Sequence, residues 1–213
     1  MTSETVLVPG ARDVRGTLDS ADAGDADGQG ADGTPRSDAA VVACPPHPQF
    51  GGNRRDRRLR SVCKALNEVG IDCLRFDYGE WDEGYGERED ARNAVRWARE
   101  RYDRVGLFGF SFGGGVATLA AATLDPQPDA VGLLAPASKL TADLDAAAAL
   151  ADLDAPLVVL YGTRDDTAGW EPLVEAAREQ DRTVVEFSAD HFFVGQEEKV
   201  AAEVGEFLAK RLG

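Results

Sequence analysis

Lysine is nearly missing from this chain. Of 23 basic residues among 213, four are lysine and nineteen are arginine, and they face 38 Asp and Glu for a net charge of −15. A surface so acidic repels nucleic acid and anionic membrane, so neither is expected as a partner. Acidic, lysine-poor composition resembles that of proteins from salt-accumulating microbes, where salt screens the self-repulsion. The melting temperature is accordingly expected to rise substantially between dilute buffer and molar salt. Calorimetry checks this, and a flat or falling curve would count against a halophilic surface.

Histidine is rarer still, at positions 47 and 191 only, so any imidazole chemistry must use one of these two. The three cysteines, Cys44, Cys63 and Cys73, are odd in number and not in metal-ligand spacing. They are expected to be reduced thiols, with Cys44 and Cys73 as small core residues of strands. No apolar run reaches membrane length and no signal-peptide pattern opens the chain, so the expected location is cytoplasmic.

What remains is enough for one globular domain over 1–213, with hydrophobic residues at 43%. "ETVLVPGARDVRGTLD" reads as an N-terminal hairpin. Residues 19–38, rich in Asp, Gly, Ala and Ser, read as a flexible acidic loop. Within it Asp25, Asp27, Gln29 and Gly30 mimic the opening of a calcium loop, but the closing Glu would fall at Arg36, and no calcium site is expected. From Asp38 onward, apolar runs at 39–44, 71–76, 104–110, 130–135, 156–162 and 183–188 alternate with helical stretches. The helices are read at Arg54–Glu68, Arg88–Arg101, Phe112–Thr123, Leu140–Leu150, Glu171–Gln180 and Glu197–Leu212. That alternation implies an α/β fold, a mainly parallel twisted sheet covered by helices on both sides.

In such sheets ligands gather at the carboxyl ends of the strands. "LFGFSFGGGVA" puts Ser111 at a strand-to-helix turn between Gly109 and Gly113. A turn that sharp leaves room only for small side chains two residues either side, and it raises the hydroxyl above a helix N-terminus. A serine hydroxyl needs a base, and His191 follows the last strand, where the chain can bend back over Ser111. The base needs a carboxylate, and Asp165 and Asp166, after the strand ending at Gly162, can both reach it. Asp190 reads as local support for the His191 loop. An oxyanion needs donors. Phe112 offers its backbone N–H, and in "PPHPQFGG" the prolines have none, which leaves His47 or Gln49.

Together "CPPHPQFGGN", "LRFDYGE", "LFGFSFGGGVA" and "ADHFF" resemble the small α/β-hydrolases with an H-P-H-P-x-x-G-G loop and a G-F-S-F-G elbow. The resemblance implies the α/β-hydrolase fold and a Ser-Asp-His triad matching Ser111, Asp165 and His191. It favours His47 over Gln49 as the second oxyanion donor. Two departures stand out: Pro45 replaces the first His of the loop, and "DYGEWDEGYGE" replaces the family's R-G-x-G-x-S stretch. That loop borders the site, so substrate preference does not carry over.

The expected activity is hydrolysis of a small-molecule ester or thioester through an acyl-enzyme, with no metal or cofactor. The segment between Pro136 and Ala155 has room for about one helix and no large lid. The competing readings are a catalytically silent hydrolase-fold scaffold, or cleavage of a peptide or carbon–carbon bond. Phe192, Phe193, Trp81 and Tyr85 could wall an acyl pocket or could equally pack in the core. The arginines of "NRRDRRLR" could hold an anionic group, or could simply pair with the acidic surface.

Overall fold

The computed structural model describes residues 2–21 and 37–213. Most of the acidic stretch at 19–38, including the rejected calcium-loop positions, lies outside the described residues; Asp19 and Ser20 themselves belong to a strand.

Among the described residues, eight strands form one sheet in the order β1-β2-β4-β3-β5-β6-β7-β8. β1 (Thr2–Val8) and β2 (Val14–Ser20) make the antiparallel hairpin at one edge, and β2 pairs antiparallel with β4 (Asp72–Asp77). The other pairings are parallel and run through β3 (Ala39–Cys44), β5 (Arg104–Phe110), β6 (Ala130–Leu134), β7 (Leu157–Gly162) and β8 (Thr183–Phe187). Because β3 and β5 are covered on both faces, β3 is apolar throughout and β5 is apolar after Arg104, rather than alternating.

Side-chain period two divides the core. Val42, Leu107 and Leu133 face α2 (Tyr85–Arg99), α3 (Phe112–Thr123), α4 (Ala146–Ala149) and α5 (Glu171–Glu179). Val41, Phe108 and Leu134 face α1 (Arg57–Glu68) and α6 (Glu197–Leu212). Val204 and Leu208 of α6 are fully buried, and each such side chain contributes about 1.5–3 kcal/mol relative to exposure. No helix among the described residues is long and apolar enough to cross a membrane.

Three expectations are corrected. The helix expected over 140–150 shrinks to α4 plus a short 3-10 turn at Leu150–Asp152. The Leu140 N–H bonds the Leu144 carbonyl, and Asp145 caps the Ala148 N–H, so the chain before 146 closes as a loop. Helix α2 begins three residues early, because the buried Glu87 carboxylate takes the N–H groups of Asp82 and Gly84. The cysteines are not all free thiols: Cys63 on α1 and Cys73 on β4 are joined, their Cα atoms 5.5 Å apart. Both face the seam where α1 lies over the sheet, a closeness that arises only when the two elements pack together. Cys44 is free and buried, and burial pushes its thiol well up, so it is an inert core residue as expected.

Candidate active site

Ser111 joins β5 to α3 with φ +59 and ψ −123, a backbone conformation that costs energy in a non-glycine residue. Its neighbours hold it there. The Ser111 N–H bonds the Leu134 carbonyl at 2.9 Å, and its own carbonyl accepts from Gly114 and Ala137 at 2.9 and 3.0 Å. The flanking glycines are steric necessities. A Cβ on Gly109 would stand 2.2 Å from the Gly113 carbonyl oxygen, and one on Gly113 would stand 2.4 Å from those of Cys44 and Pro45. All are backbone atoms that cannot swing away. Gly113→Ala is therefore expected to cost about 1–3 kcal/mol, read as a fall in the urea midpoint; a midpoint equal to wild type would contradict this packing.

The three side chains expected to meet do so. Ser111 Oγ lies 2.9 Å from His191 Nε2, and His191 Nδ1 lies 2.7 Å from Asp165 Oδ2. The carboxylate can only accept, so Nδ1 carries the proton and Nε2 presents its lone pair to the serine hydroxyl. Asp165 and His191 are buried and Ser111 is half-buried. Burial pushes the Asp165 carboxyl up. The hydrogen bond from His191 and the N–H groups of Thr167 and Ala168 outweigh it and hold the group below its usual range. Asp166 points elsewhere and is exposed. Asp190 caps the turn of its own loop by accepting the Phe192 N–H at 3.0 Å.

His47 stands on the opposite side of Ser111, at the start of a 3-10 turn over Pro48–Phe50. Its Nδ1 accepts the Gln49 N–H at 3.3 Å, so Gln49 has spent its donor. The backbone N–H groups of His47 and Phe112 take no partner among the described residues. The His47 ring contacts Phe112, Phe50 and Trp81 at centroid distances of 4.7, 4.7 and 4.6 Å. Burial holds its pKa down against the opposing charge of Glu87, which suits a neutral ring accepting at Nδ1.

Two arginines that sequence reasoning did not place brace these parts. Arg12, from the hairpin turn, bonds Asp90 at 3.1 Å and the Glu80 carbonyl, while Asp90 takes the Gly79 N–H at 2.9 Å. The edge hairpin thereby anchors the loop that presses Trp81 onto His47. Arg58 is buried, pairs with Asp56, and donates to the Phe192 carbonyl at 3.2 Å. Its guanidinium sits 4.3 Å from the centroid of Phe110, and the same ring stacks on His191 at 5.2 Å. The arginine-rich stretch is thus consumed largely by pairing: Arg54 with Asp77, Arg57 with Glu197 and Arg58 with Asp56. Of the four candidate acyl-wall residues, Phe193 takes the core alternative, with no exposure. Phe192 and Tyr85 are exposed, and Trp81 is half-buried. Adjacent residues of the "FF" pair face opposite ways, which dipeptide composition does not reveal.

A sheet in this order, flanked by helices, with a serine at the turn after its fifth strand, is the α/β-hydrolase fold. Solved structures of that fold superpose over nearly the whole chain. A lidless α/β serine hydrolase from Xanthomonas campestris matches at TM-score 0.79 and 23% identity, covering 98% of this chain and 94% of its own. An α/β serine hydrolase homologue from Coxiella burnetii matches at TM-score 0.76 and 25% identity, covering 100% and 99%. An esterase from Pyrococcus furiosus matches at TM-score 0.79 and 18% identity, covering 100% and 92%. The family model for X-Pro dipeptidyl-peptidase (S15 family) matches residues 77–151.

Proposed function

We propose that this chain is a serine hydrolase that cleaves a small carboxylic ester or thioester through an acyl-enzyme. The observation that carries the reading is the unbroken line from Ser111 Oγ through His191 to Asp165. In the proposed reaction Ser111 Oγ attacks the substrate carbonyl carbon while His191 Nε2 takes the hydroxyl proton. Asp165 stabilises the resulting imidazolium. The N–H groups of Phe112 and His47 receive the oxyanion, which forms beside the N-terminus of α3. As the tetrahedral species collapses, His191 returns the proton to the leaving oxygen or sulfur, and the acyl group stays on Ser111. Water then attacks the acyl carbon as His191 takes one of its protons, and collapse of this second tetrahedral species breaks the bond to Ser111 Oγ, which regains the proton from His191 as the acid departs.

The second reading, cleavage of a peptide bond, is favoured by the S15 match. That match spans Ser111 but neither Asp165 nor His191, so it speaks to the elbow rather than to the bond broken. Esterase structures among the relatives weigh toward esters. A fluorophosphonate probe followed by peptide mass spectrometry tests the hydrolase reading, with Ser111 expected to carry the label. A parallel panel of 4-nitrophenyl esters and an X-Pro 4-nitroanilide separates the bond types, with the esters expected to be turned over. An unlabelled Ser111 would instead favour the scaffold reading.

A further inference from the structure

Large apolar side chains left in water are unevenly placed on this protein. Six are exposed among the described residues: Leu7, Phe50, Val69, Tyr85, Phe192 and Val194. Four of them, Phe50, Tyr85, Phe192 and Val194, stand on loops or helix starts that follow the carboxyl ends of β3, β4 and β8, around Ser111. Phe50 is 87% exposed and Val194 is 64% exposed, so the fold itself gains little from either. A cluster of exposed apolar groups confined to one rim marks a surface that another molecule covers.

The rim has two banks, and contacts with the site tell them apart. Phe192 meets the His191 ring at 5.5 Å, edge to face, and Val194 follows on the same loop. His191 must protonate the departing atom, so this bank flanks the leaving group. Phe50 and Trp81 pack on His47, and Trp81 also meets Phe112 at 5.6 Å. These aromatics surround the two residues offered as oxyanion donors, and the carbonyl substituent left to lie on that side is the acyl chain. The loop after β4 also brings the exposed Glu80, Asp82 and Glu83 to this bank. They repel a substrate that carries its own negative charge.

We propose that this rim is the substrate-binding surface, and that it selects uncharged esters with an apolar chain on the acyl side and an aromatic or bulky apolar group on the leaving side. Esters with a free carboxylate are disfavoured. The inference rests on the serine-hydrolase reading above. It goes further in giving each bank its own half of the substrate.

The test crosses two variants with two substrate pairs. Phe192→Ser should lower the kcat/KM ratio of 1-naphthyl acetate over ethyl acetate, and Phe50→Ser should lower that of 4-nitrophenyl hexanoate over 4-nitrophenyl acetate. Each ratio should fall about tenfold, the value of one lost aromatic or apolar contact. Using ratios cancels the intrinsic reactivity of each ester, and both side chains are exposed enough for the fold to survive their loss. Wild type should prefer 4-nitrophenyl butyrate over 4-nitrophenyl hemisuccinate, and molar salt should narrow that preference by screening the rim. Unmoved ratios in both variants, or hemisuccinate cleaved as well as butyrate at low salt, overturn the proposal. If the fluorophosphonate probe still labels Ser111 in that case, only the rim assignment falls; if it does not, the hydrolase reading falls with it.

Discussion

Ser111→Ala should lower kcat/KM on a simple chromogenic ester by about four to six orders of magnitude while leaving the protein folded. The loss is large because the hydroxyl has no substitute: alanine offers no nucleophile, and His191 then has no proton to accept. The fold should survive because the elbow is held by backbone contacts. The Ser111 N–H bonds Leu134 and its carbonyl receives three N–H groups, while among the described residues Oγ bonds only His191. Alanine keeps all the backbone bonds and inherits the same positive φ. His191→Ala should cost about as much, and the double variant little more, because the members of such a line act as a unit. A residual rate from oxyanion donors and binding is expected in each variant. The measurement is kcat/KM for the three variants beside their melting temperatures. A Ser111→Ala protein that melts like wild type and keeps most of its activity would refute the nucleophile assignment.

How far such a site can be read from sequence depends on whether its cause is local. The Gly109–Ser111–Gly113 spacing was legible because its reason, backbone crowding at one turn, lies within a few residues. Helices α3 and α6 end where their apolar period ends, so the sequence pattern and the structure agree on their bounds. Asp165 and His191 were legible at one remove: each follows a strand, and a parallel sheet brings strand ends together. The missing parts have causes distant in the chain. Cys63 meets Cys73 only once α1 has folded back over β4. Arg12 reaches Asp90 across 78 residues, and nothing in "PGARD" distinguishes an anchoring arginine from a solvated one. Arg58 looked like one member of a charged run, yet it is the arginine that packs against Phe110 beneath the His191 ring. The short α4 eluded periodicity for another reason. "LTADLDAAAAL" is rich in Ala and Leu, but Thr141 and Asp143 are weak helix formers and Asp145 competes for the chain by capping a later start.

The choice between Asp165 and Asp166, two adjacent carboxylates after the same strand, gives the other large effect. Asp165→Asn should reduce kcat/KM by about three to four orders of magnitude, and Asp166→Asn by less than about threefold. Asparagine is nearly isosteric, so the His191 loop should stay in place, and the damage is electronic. Asp165 Oδ2 accepts from His191 Nδ1 at 2.7 Å, while Oδ1 accepts the Thr167 N–H at 2.9 Å. An amide has one acceptor oxygen and one NH2 group. The oxygen is held by the N–H of Thr167, with Ala168 close behind, which turns the NH2 toward His191. His191 Nδ1 must then accept instead of donate, its proton moves to Nε2, and the ring presents a hydrogen where Ser111 needs a lone pair. The negative charge that would stabilise the imidazolium is lost as well. Asp166 has no such role open to it: it is exposed, and among the described residues its side chain accepts a hydrogen bond from the Thr167 hydroxyl alone, at 3.4 Å. Both variants should melt within a few degrees of wild type, so kcat/KM on one ester discriminates them without a stability correction. If Asp166→Asn proved the more harmful, the carboxylate partner would be reassigned while the Ser111–His191 chemistry stood. If neither substitution cost more than threefold, His191 would be acting without a carboxylate, and the proposed line would end at the imidazole.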